Sequence, residues 1–547
     1  MTWSEKVMEY RDFLRAAREV GAHGDNDTLP FDGDSRFVKA CAESLAYVAI
    51  RLYNKFSERR PEDAKNALKG YEPFSERLLV PTGSAGFRVV TKIHPFWNLY
   101  MNGLAIGLAR ATVSHRSIRA HSYRFVDDDD SIDIFDRAHS WRAFRVAAVD
   151  AAAKAGDGAV VVQTDISSFY ERISHHHVEN MLASIVGEQS AVQVNALLSR
   201  FSAGRSFALP VGGQFSRIVA ESFMLPIDQA LDRRGLNWFR YVDDYVLVAP
   251  DYHVAHEHLA YLSKQLADFG LSLNRTKTTI LRASAFVDYV QAQLGSDEGE
   301  VGALKEIDLH FDPYSDSPVE DYESLRATVE SLDVQRLLSL ELEKSVPDSF
   351  LVAQVGRTLE FHAPEVALDL AKTLLSEASL RSFRGSWSTI MRGVAHLRSL
   401  DGYKEIHSKI DLCLDDVLVH SRYLLTNEGS QLHFLRALRF STSPARAAFV
   451  WGLYEDAASQ TVKRGCLDCA AGWATHGDLN TIANRWAGMH PEVRRAAWLF
   501  SKSFSREGTD FRRQRRESLI KGGELGFEEN ESETFPVIFA RWAHDQT

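Results

Sequence analysis

Polar and apolar positions follow different rhythms along this chain. Over the first ~65 residues, beginning MTWSEKVMEYRDFLRAAREVG, apolar positions recur at helical spacing. The pattern breaks at HGDNDTLPFDGDSR, where Gly, Asp and Pro mark a loop. Between residues 75 and 300, short Val-rich runs alternate with helical stretches such as HVENMLASIVG and HVAHEHLAYLSKQLADFG. Two runs, Ala159–Thr164 (AVVVQT) and Tyr241–Ala249 (YVDDYVLVA), are short, apolar and bounded by turn residues, which predicts buried strands. Strands alternating with helices around an antiparallel hairpin predict an α+β domain. The rhythm changes again across GSDEGEVGALKEIDLHFDPYSDSPVED (295–320), after which strand signals nearly vanish. Segments such as VEDYESLRATVESLDVQRLLSLELEK and PEVALDLAKTLLSEASLRSF read as amphipathic helices of about 15–20 residues, recurring in pairs. The expected layout is a helical segment at 1–70, an α+β domain at 71–300, and an all-α, HEAT-like helical-repeat domain at 301–547.

Composition adds little to this picture and excludes several classes. A chain of 547 residues, 45% hydrophobic and 25% charged, has material for two to four domains and more than one core. Four cysteines are too few and too scattered for a disulfide framework, so a reducing, cytoplasmic location is expected. No run of 18 apolar residues predicts a membrane span, and the N-terminus lacks a signal-peptide core. A net charge of −11 is awkward for a nucleic-acid enzyme, but acidic runs such as Asp127–Asp130 and GFEENESE inflate it. Binding depends on where cations cluster.

The candidate chemistry sits in Asp243-Asp244, two adjacent carboxylates inside an apolar pattern. Unit charges ~4 Å apart repel by several kcal/mol at moderate dielectric. A divalent cation with oxygen ligands would relieve that repulsion; a surface hairpin turn is the plain alternative. Upstream, the run Val160–Thr164 ends in Asp165. A third carboxylate at the end of a second Val-rich strand is what a two-metal phosphoryl-transfer site needs.

These motifs resemble those of reverse transcriptases. VVVQTDISSFYERISHH is similar to motif A, FRYVDDYVLVA to motif C, and Leu209–Ser216 (LPVGGQFS) to motif B, with Val211 replacing the usual Gln. Gly270–Thr278 (GLSLNRTKT) resembles motif D, with Lys277 in the basic position. Ser122-Tyr123-Arg124-Phe125, with Phe135, Trp141 and Phe144, and Arg88 in GFRVVTKIHP resemble the fingers.

The resemblance implies a fingers–palm domain in which Asp165, Asp243 and Asp244 are catalytic. Asp165 and Asp243 would hold Mg2+ (Mn2+ as substitute), the Ile166 carbonyl would complete a coordination shell, and Asp244 would support the site from the turn. It also implies nucleotide contacts from Tyr170 (a steric gate favouring deoxynucleotides), Arg124, Arg88, Gly212, Gln214 and Lys277. On the residues alone, the alternatives are a packed core aromatic for Tyr170, a simple helix N-cap for Ser216 and an exposed lysine at a helix end for Lys277. A ~240-residue helical array in place of a thumb resembles bacterial abortive-infection and defence-associated reverse transcriptases such as the AbiK and Abi-P2 groups. That resemblance implies antiphage DNA synthesis from dNTPs without a conventional template, single-stranded DNA attached to the protein, and a homotrimer or homohexamer. Tyr403, Tyr423 and Tyr454 are the priming candidates. A template-copying enzyme of a retron or mobile element, using a dedicated non-coding RNA, and a catalytically silent nucleic-acid-binding scaffold are the competing readings.

Two further patterns stay outside this scheme. Cys466 and Cys469 (CxxC) read as core cysteines, since no second pair completes a zinc site. Arg512, Arg513, Arg515 and Arg516 read either as a phosphate grip or as a solvated helix face.

Overall fold

The computed structural model describes residues 8–24, 26, 29, 30, 32–83, 85–295, 300–306, 318–344, 347–523, 525 and 533–545. Much of the expected 295–320 junction, including 296–299 and 307–317, lies outside the described residues, as do 526–532 of the acidic GFEENESE run. The N-terminal helices Tyr10–His23 and Ala42–Ser57 pack against the long helix Pro95–Thr112, and Pro61–Lys69 packs on Glu188–Phe201. That helix is apolar around its whole circumference (PFWNLYMNGLAIGLARAT), and nearly every residue in it is buried, as such a sequence requires.

Two antiparallel sheets follow. Strands β1 (Ser75–Thr82) and β2 (Gly86–Ile93) form a hairpin in which Arg77 faces Thr91. The second sheet contains β3 (Val160–Asp165), β4 (Asn237–Tyr241), β5 (Asp244–Ala249) and β6 (Thr279–Arg282), in the order β4-β5-β3-β6. Its Val-rich centre is buried, as continuous apolar runs predict. Tyr241–Ala249 is not one strand: the chain reverses at Val242 and Asp243, so β4 and β5 form a tight hairpin and Asp244 opens β5. Two adjacent carboxylates sit poorly within a continuous strand, and the turn separates them.

Beyond residue 318 the described chain is helical. The helices Ser349–Thr358, Trp387–Ser399, Glu428–Leu438, Gln460–Ala470 and Pro491–Phe500 pack one on the next in sequence. Pro364–Leu375, Lys404–His420 and Pro444–Asp456 stack beside them. Two helices expected as single units are split. Asp333 accepts from the Arg336 amide and restarts the chain after Pro318–Glu330 as Val334–Glu343. Ser376 likewise accepts from the Ser379 amide, separating Pro364–Leu375 from Glu377–Ser382. Both side chains offer the backbone a local partner that competes with continuing the helix. Cys466 and Cys469 are buried in the helix Gln460–Ala470, where loss of water pushes both thiols well up.

The helical stack is fastened to the N-terminal half by buried charge. Asp34 pairs with Arg464 at 2.5 Å and Lys92 at 3.3 Å, while Glu492 pairs with Arg464 at 2.7 Å and Arg495 at 2.9 Å. Burial opposes the Asp34 charge, but Arg464, Lys92 and Arg495 outweigh it and hold the carboxyl well below its ordinary range. Glu76 of β1 accepts from the Gln460 and Thr461 amides at 2.9 Å each, capping the helix Gln460–Ala470 from across the seam. Glu428 accepts from the Leu79 amide at 3.0 Å. Removing one partner of such a cluster leaves an uncompensated buried charge. Asp34→Ala should therefore lower the unfolding free energy by about 3–5 kcal/mol in urea titrations; a loss under about 1 kcal/mol, the range of an exposed pair, would contradict the fastening role.

Candidate active site

The register of the second sheet brings the three aspartates together. Asp165 at the end of β3 lies directly opposite Asp244 at the start of β5, and Asp243 occupies the turn beside them. The Ile166 amide donates to the Asp243 carbonyl at 3.0 Å, so the segment after β3 is tied to the turn itself. The segment that follows the helix Tyr252–Ala267 closes the other side. The Asn274 amide donates to the Asp165 carbonyl at 2.8 Å, and the Ser167 amide to the Ser272 carbonyl at 2.9 Å. This pairing delivers Lys277, whose Nζ donates to Asp165 Oδ2 at 2.8 Å.

A layer of buried polar groups beneath the turn fixes its shape. Val242 has φ 57°, a left-handed conformation that is strained for a β-branched residue. Its carbonyl accepts from Arg240 at 2.9 Å and its amide donates to Ser122 Oγ at 2.9 Å. Arg240 is fully buried and spans Glu221 (3.0 Å) and Asp228 (2.6 Å). Burial works against the Arg240 charge, but the two carboxylates outweigh it and hold the guanidinium protonated. Glu221 also receives Ser122 Oγ and Arg116, so one carboxylate of the helix Gln214–Arg233 joins the segment 116–122 to the turn. Ser122 and Arg240 lie inside the quoted motifs without a role of their own there, and Glu221 lies outside them. The available signal was an arginine on the β4 side of the Asp-Asp turn, where a buried cation must have acids nearby.

The electrostatics are those of crowded anions. Loss of water, then the charges of Asp243 and Asp165, push Asp244 up to about 6. Asp243 is raised as well, by burial and by Asp165, with Lys277 and Arg88 pulling the other way. Arg88 on β2 is therefore close enough for its charge to be felt at the turn, although its side chain is exposed. Asp165 is 6% exposed, and its Oδ1 is buried with no hydrogen-bond partner among the described residues. Hard oxygen donors and an orphaned carboxylate oxygen fit a divalent cation. Yet no group of three or more His, Cys, Asp or Glu is gathered as a ready metal cage among the described residues. As placed, the Lys277 ammonium provides the positive charge at Asp165.

The other expected residues divide into those near this centre and those engaged elsewhere. Tyr170, in the short helix Phe169–Arg172, is half-buried; burial, Tyr123, Glu221 and Asp243 all raise its hydroxyl pKa, which places it beside the turn. Arg124 instead donates to the Ser117 carbonyl, and burial together with Arg116 lowers it to about 10. Gly212 has φ 122°, and a Cβ there would run into the Asn26 amide, so its missing side chain admits a neighbouring side chain of the protein. Gln214 bonds Glu19 at 2.8 Å and Arg217 at 2.9 Å. Ser216 does not begin a helix: the N-cap is Gly213, and the Ser216 hydroxyl reaches back to the Pro210 carbonyl. Beside these loops a cleft of about 710 Å3 is lined by Arg77, Arg172, Arg205 and Phe207, among others.

Among the priming candidates, Tyr403 is buried and its hydroxyl donates to the Glu360 (2.6 Å) and His362 (2.9 Å) carbonyls. Tyr454 is buried and pushed up to about 12 by loss of water. Tyr423 is 49% exposed.

With this geometry in place, the likeness to known proteins can be stated. Residues 100–301, which include all three aspartates and Lys277, match the family model of reverse transcriptase (RNA-dependent DNA polymerase). The likeness to a reverse transcriptase is thus carried by this stretch. Among solved structures, the chain is similar to telomerase from Candida albicans in complex with a TWJ fragment of telomeric RNA, at 12% identity and TM-score 0.29, covering 63% of this chain and 65% of that one. It is also similar to apo telomerase from Candida tropicalis, at 11% identity and TM-score 0.30, covering 62% and 69%. The chain thus spans just under two thirds of the first of these relatives. No curated protein matches it. No described helix is long and apolar enough to cross a membrane.

Two predictions follow from the crowded turn. Asp244 titrates near 6 when folded against about 4 when unfolded, so its contribution to stability is complete below pH ~4 and lost as pH rises through about 6. Metal-free Asp244→Asn should therefore melt above the wild type at pH 7 and converge with it below pH ~4; a gap that does not change with pH would contradict this. Glu221→Ala should strip the layer under Val242 and cost about 3–5 kcal/mol in denaturant titrations. Glu221→Gln should retain part of that stability.

Proposed function

We propose that this protein is a Mg2+-dependent, reverse-transcriptase-like DNA polymerase of antiphage type. The observation that carries the reading is the β3–β5 register that puts Asp165 opposite Asp244, with Asp243 in the turn. Asp165, Asp243 and the Ile166 carbonyl would hold the metal, with Asp244 beside them. Bound Mg2+ would favour the deprotonated 3′-hydroxyl and offset charge on the departing pyrophosphate. Lys277 would release Asp165 when the metal binds and turn its ammonium to the leaving phosphates, where it donates a proton or a hydrogen bond. Arg88, whose charge is felt at Asp243, would meet the triphosphate. Tyr170 would stand against the sugar and crowd a 2′-hydroxyl.

The helical domain would take the place of a thumb and surround the product strand. In the antiphage reading, synthesis starts on a protein hydroxyl, the chain works as a homotrimer or homohexamer, and the DNA stays attached. Exposure favours Tyr423 over Tyr403 and Tyr454 as the primer. A second reading, templated synthesis on an RNA, is favoured by the cleft carrying Arg77, Arg172, Arg205 and Phe207. Arginines around an exposed aromatic suit a single strand.

Incubation of the purified protein with each labelled dNTP, with Mg2+ or Mn2+, should yield a product. Asp165→Asn and Asp243→Asn should each reduce incorporation at least about 100-fold. Incorporation equal to wild type in either variant would end the metal-site assignment. Tyr170→Ala should raise rNTP use relative to dNTP use, and Tyr423→Phe should remove label that survives denaturation but not protease. Sequencing the product separates the readings, since a copy of a defined RNA favours templated synthesis.

A further inference from the structure

The arginine cluster Arg512–Arg516 is divided by the fold. Arg515 turns away, its guanidinium 4.4 Å from the centre of the Phe511 ring and donating to the Ala483 carbonyl at 3.2 Å. Thr509, Arg512, Arg513 and Arg516 recur every three to four residues or directly adjoin, and so share one side of the helix Arg506–Lys521. Opposite them, the helix Phe535–Asp545 presents Arg541 and His544, also three apart. A cavity of about 720 Å3 opens between the two helices, with Trp498 from the helix Pro491–Phe500 in its wall.

Its chemistry is one-sided. Four arginines line it, and no Asp or Glu is among its described lining residues. Among the described residues Arg512 bonds two hydroxyls, Ser501 Oγ and Thr509 Oγ1, at 3.3 Å each. Arg513 and Arg541 pair with Asp510 (2.7 Å) and Glu533 (3.0 Å), which lie outside the lining. Arg516 is exposed and makes no ion pair or hydrogen bond among the described residues. Trp498 is 4% exposed, and its indole N–H is buried without a hydrogen-bond partner among the described residues. A buried donor without a partner is uncommon in a folded protein and points to a missing acceptor.

We propose that this cavity binds a nucleoside polyphosphate by its phosphate groups, at a site in the helical domain separate from the palm. Guanidinium forks match phosphate oxygens in pairs. The volume falls within the ~300–1,000 Å3 range of small-ligand sites. Cations converging on a pocket, rather than running in a stripe, suit a compact polyanion better than a strand whose charges are strung along its length.

The test uses the full chain carrying Asp243→Ala and Asp244→Ala in EDTA, so that no metal-dependent palm site contributes. Calorimetric titrations with pyrophosphate, dATP and a single-stranded oligothymidylate are repeated after adding Arg516→Glu, or Arg512→Ala with Arg541→Ala. Pyrophosphate and dATP should both bind, and each added change should weaken both about tenfold or more. Arg516→Glu removes no ion pair or hydrogen bond among the described residues, so an unchanged melting temperature should accompany its loss of binding. The proposal is overturned if neither small ligand binds, if dATP binds without pyrophosphate, if only the oligonucleotide binds, or if affinity is indifferent to Arg516→Glu. Because the palm aspartates are absent throughout, this result is independent of whether the chain polymerises DNA.

Discussion

The Asp243-Asp244 turn depends on one buried guanidinium. Arg240 has no water to hydrate it, so its charge persists only because Glu221 and Asp228 close on it, and its spare donor then holds the Val242 carbonyl. Without that grip and the Ser122 hydroxyl on the Val242 amide, a β-branched residue would not remain in a left-handed conformation. The turn would relax and Asp243 would leave its place beside β3. The acids that stabilise the arginine come from the helix Gln214–Arg233, and Ser122 comes from the segment 116–122. Three stretches far apart in the chain thus meet at one charge.

Above this layer the balance of charge is reversed. Three carboxylates are brought to one end of a sheet, two of them with raised pKa values, and the cation in reach is a lysine on a flexible stem. A lysine partner neutralises Asp165 without filling the space a metal shell needs, since Asp165 Oδ1 stays unpartnered. The arrangement is stable enough to fold and still leaves unmet demand for positive charge.

Much of this centre was legible because it is local. Val160–Asp165 announced itself as a strand by its short Val-rich run, and the Asp-Asp pair stood out because such a pair is costly anywhere buried. The hairpin at Val242 was harder to read, since an apolar run across YVDDYVLVA carries no Gly, Asn or Pro to mark a turn, and the reversal depends on Arg240 and Ser122 from outside the segment. The breaks at Asp333 and Ser376 were missed for a related reason: a capping side chain in an amphipathic run looks like one more polar position. Arg124 and Gly212 show a different limit. Residue type and spacing fixed where they lie, but the groups that meet them, the Ser117 carbonyl and the Asn26 amide, are tertiary neighbours that no motif encodes.

The fastening of β1 has a mechanical consequence. Glu76 and the Leu79 amide bind this strand to two separate helices of the stack, while β2, paired to it along its whole length, carries Arg88 toward the aspartates. The hairpin therefore cannot swing as a loose flap. It behaves as a lever with its fulcrum on the stack, so displacement of those helices by even a small angle is delivered to Arg88, and the reach of that arginine is set as much by the far half of the molecule as by its own strand.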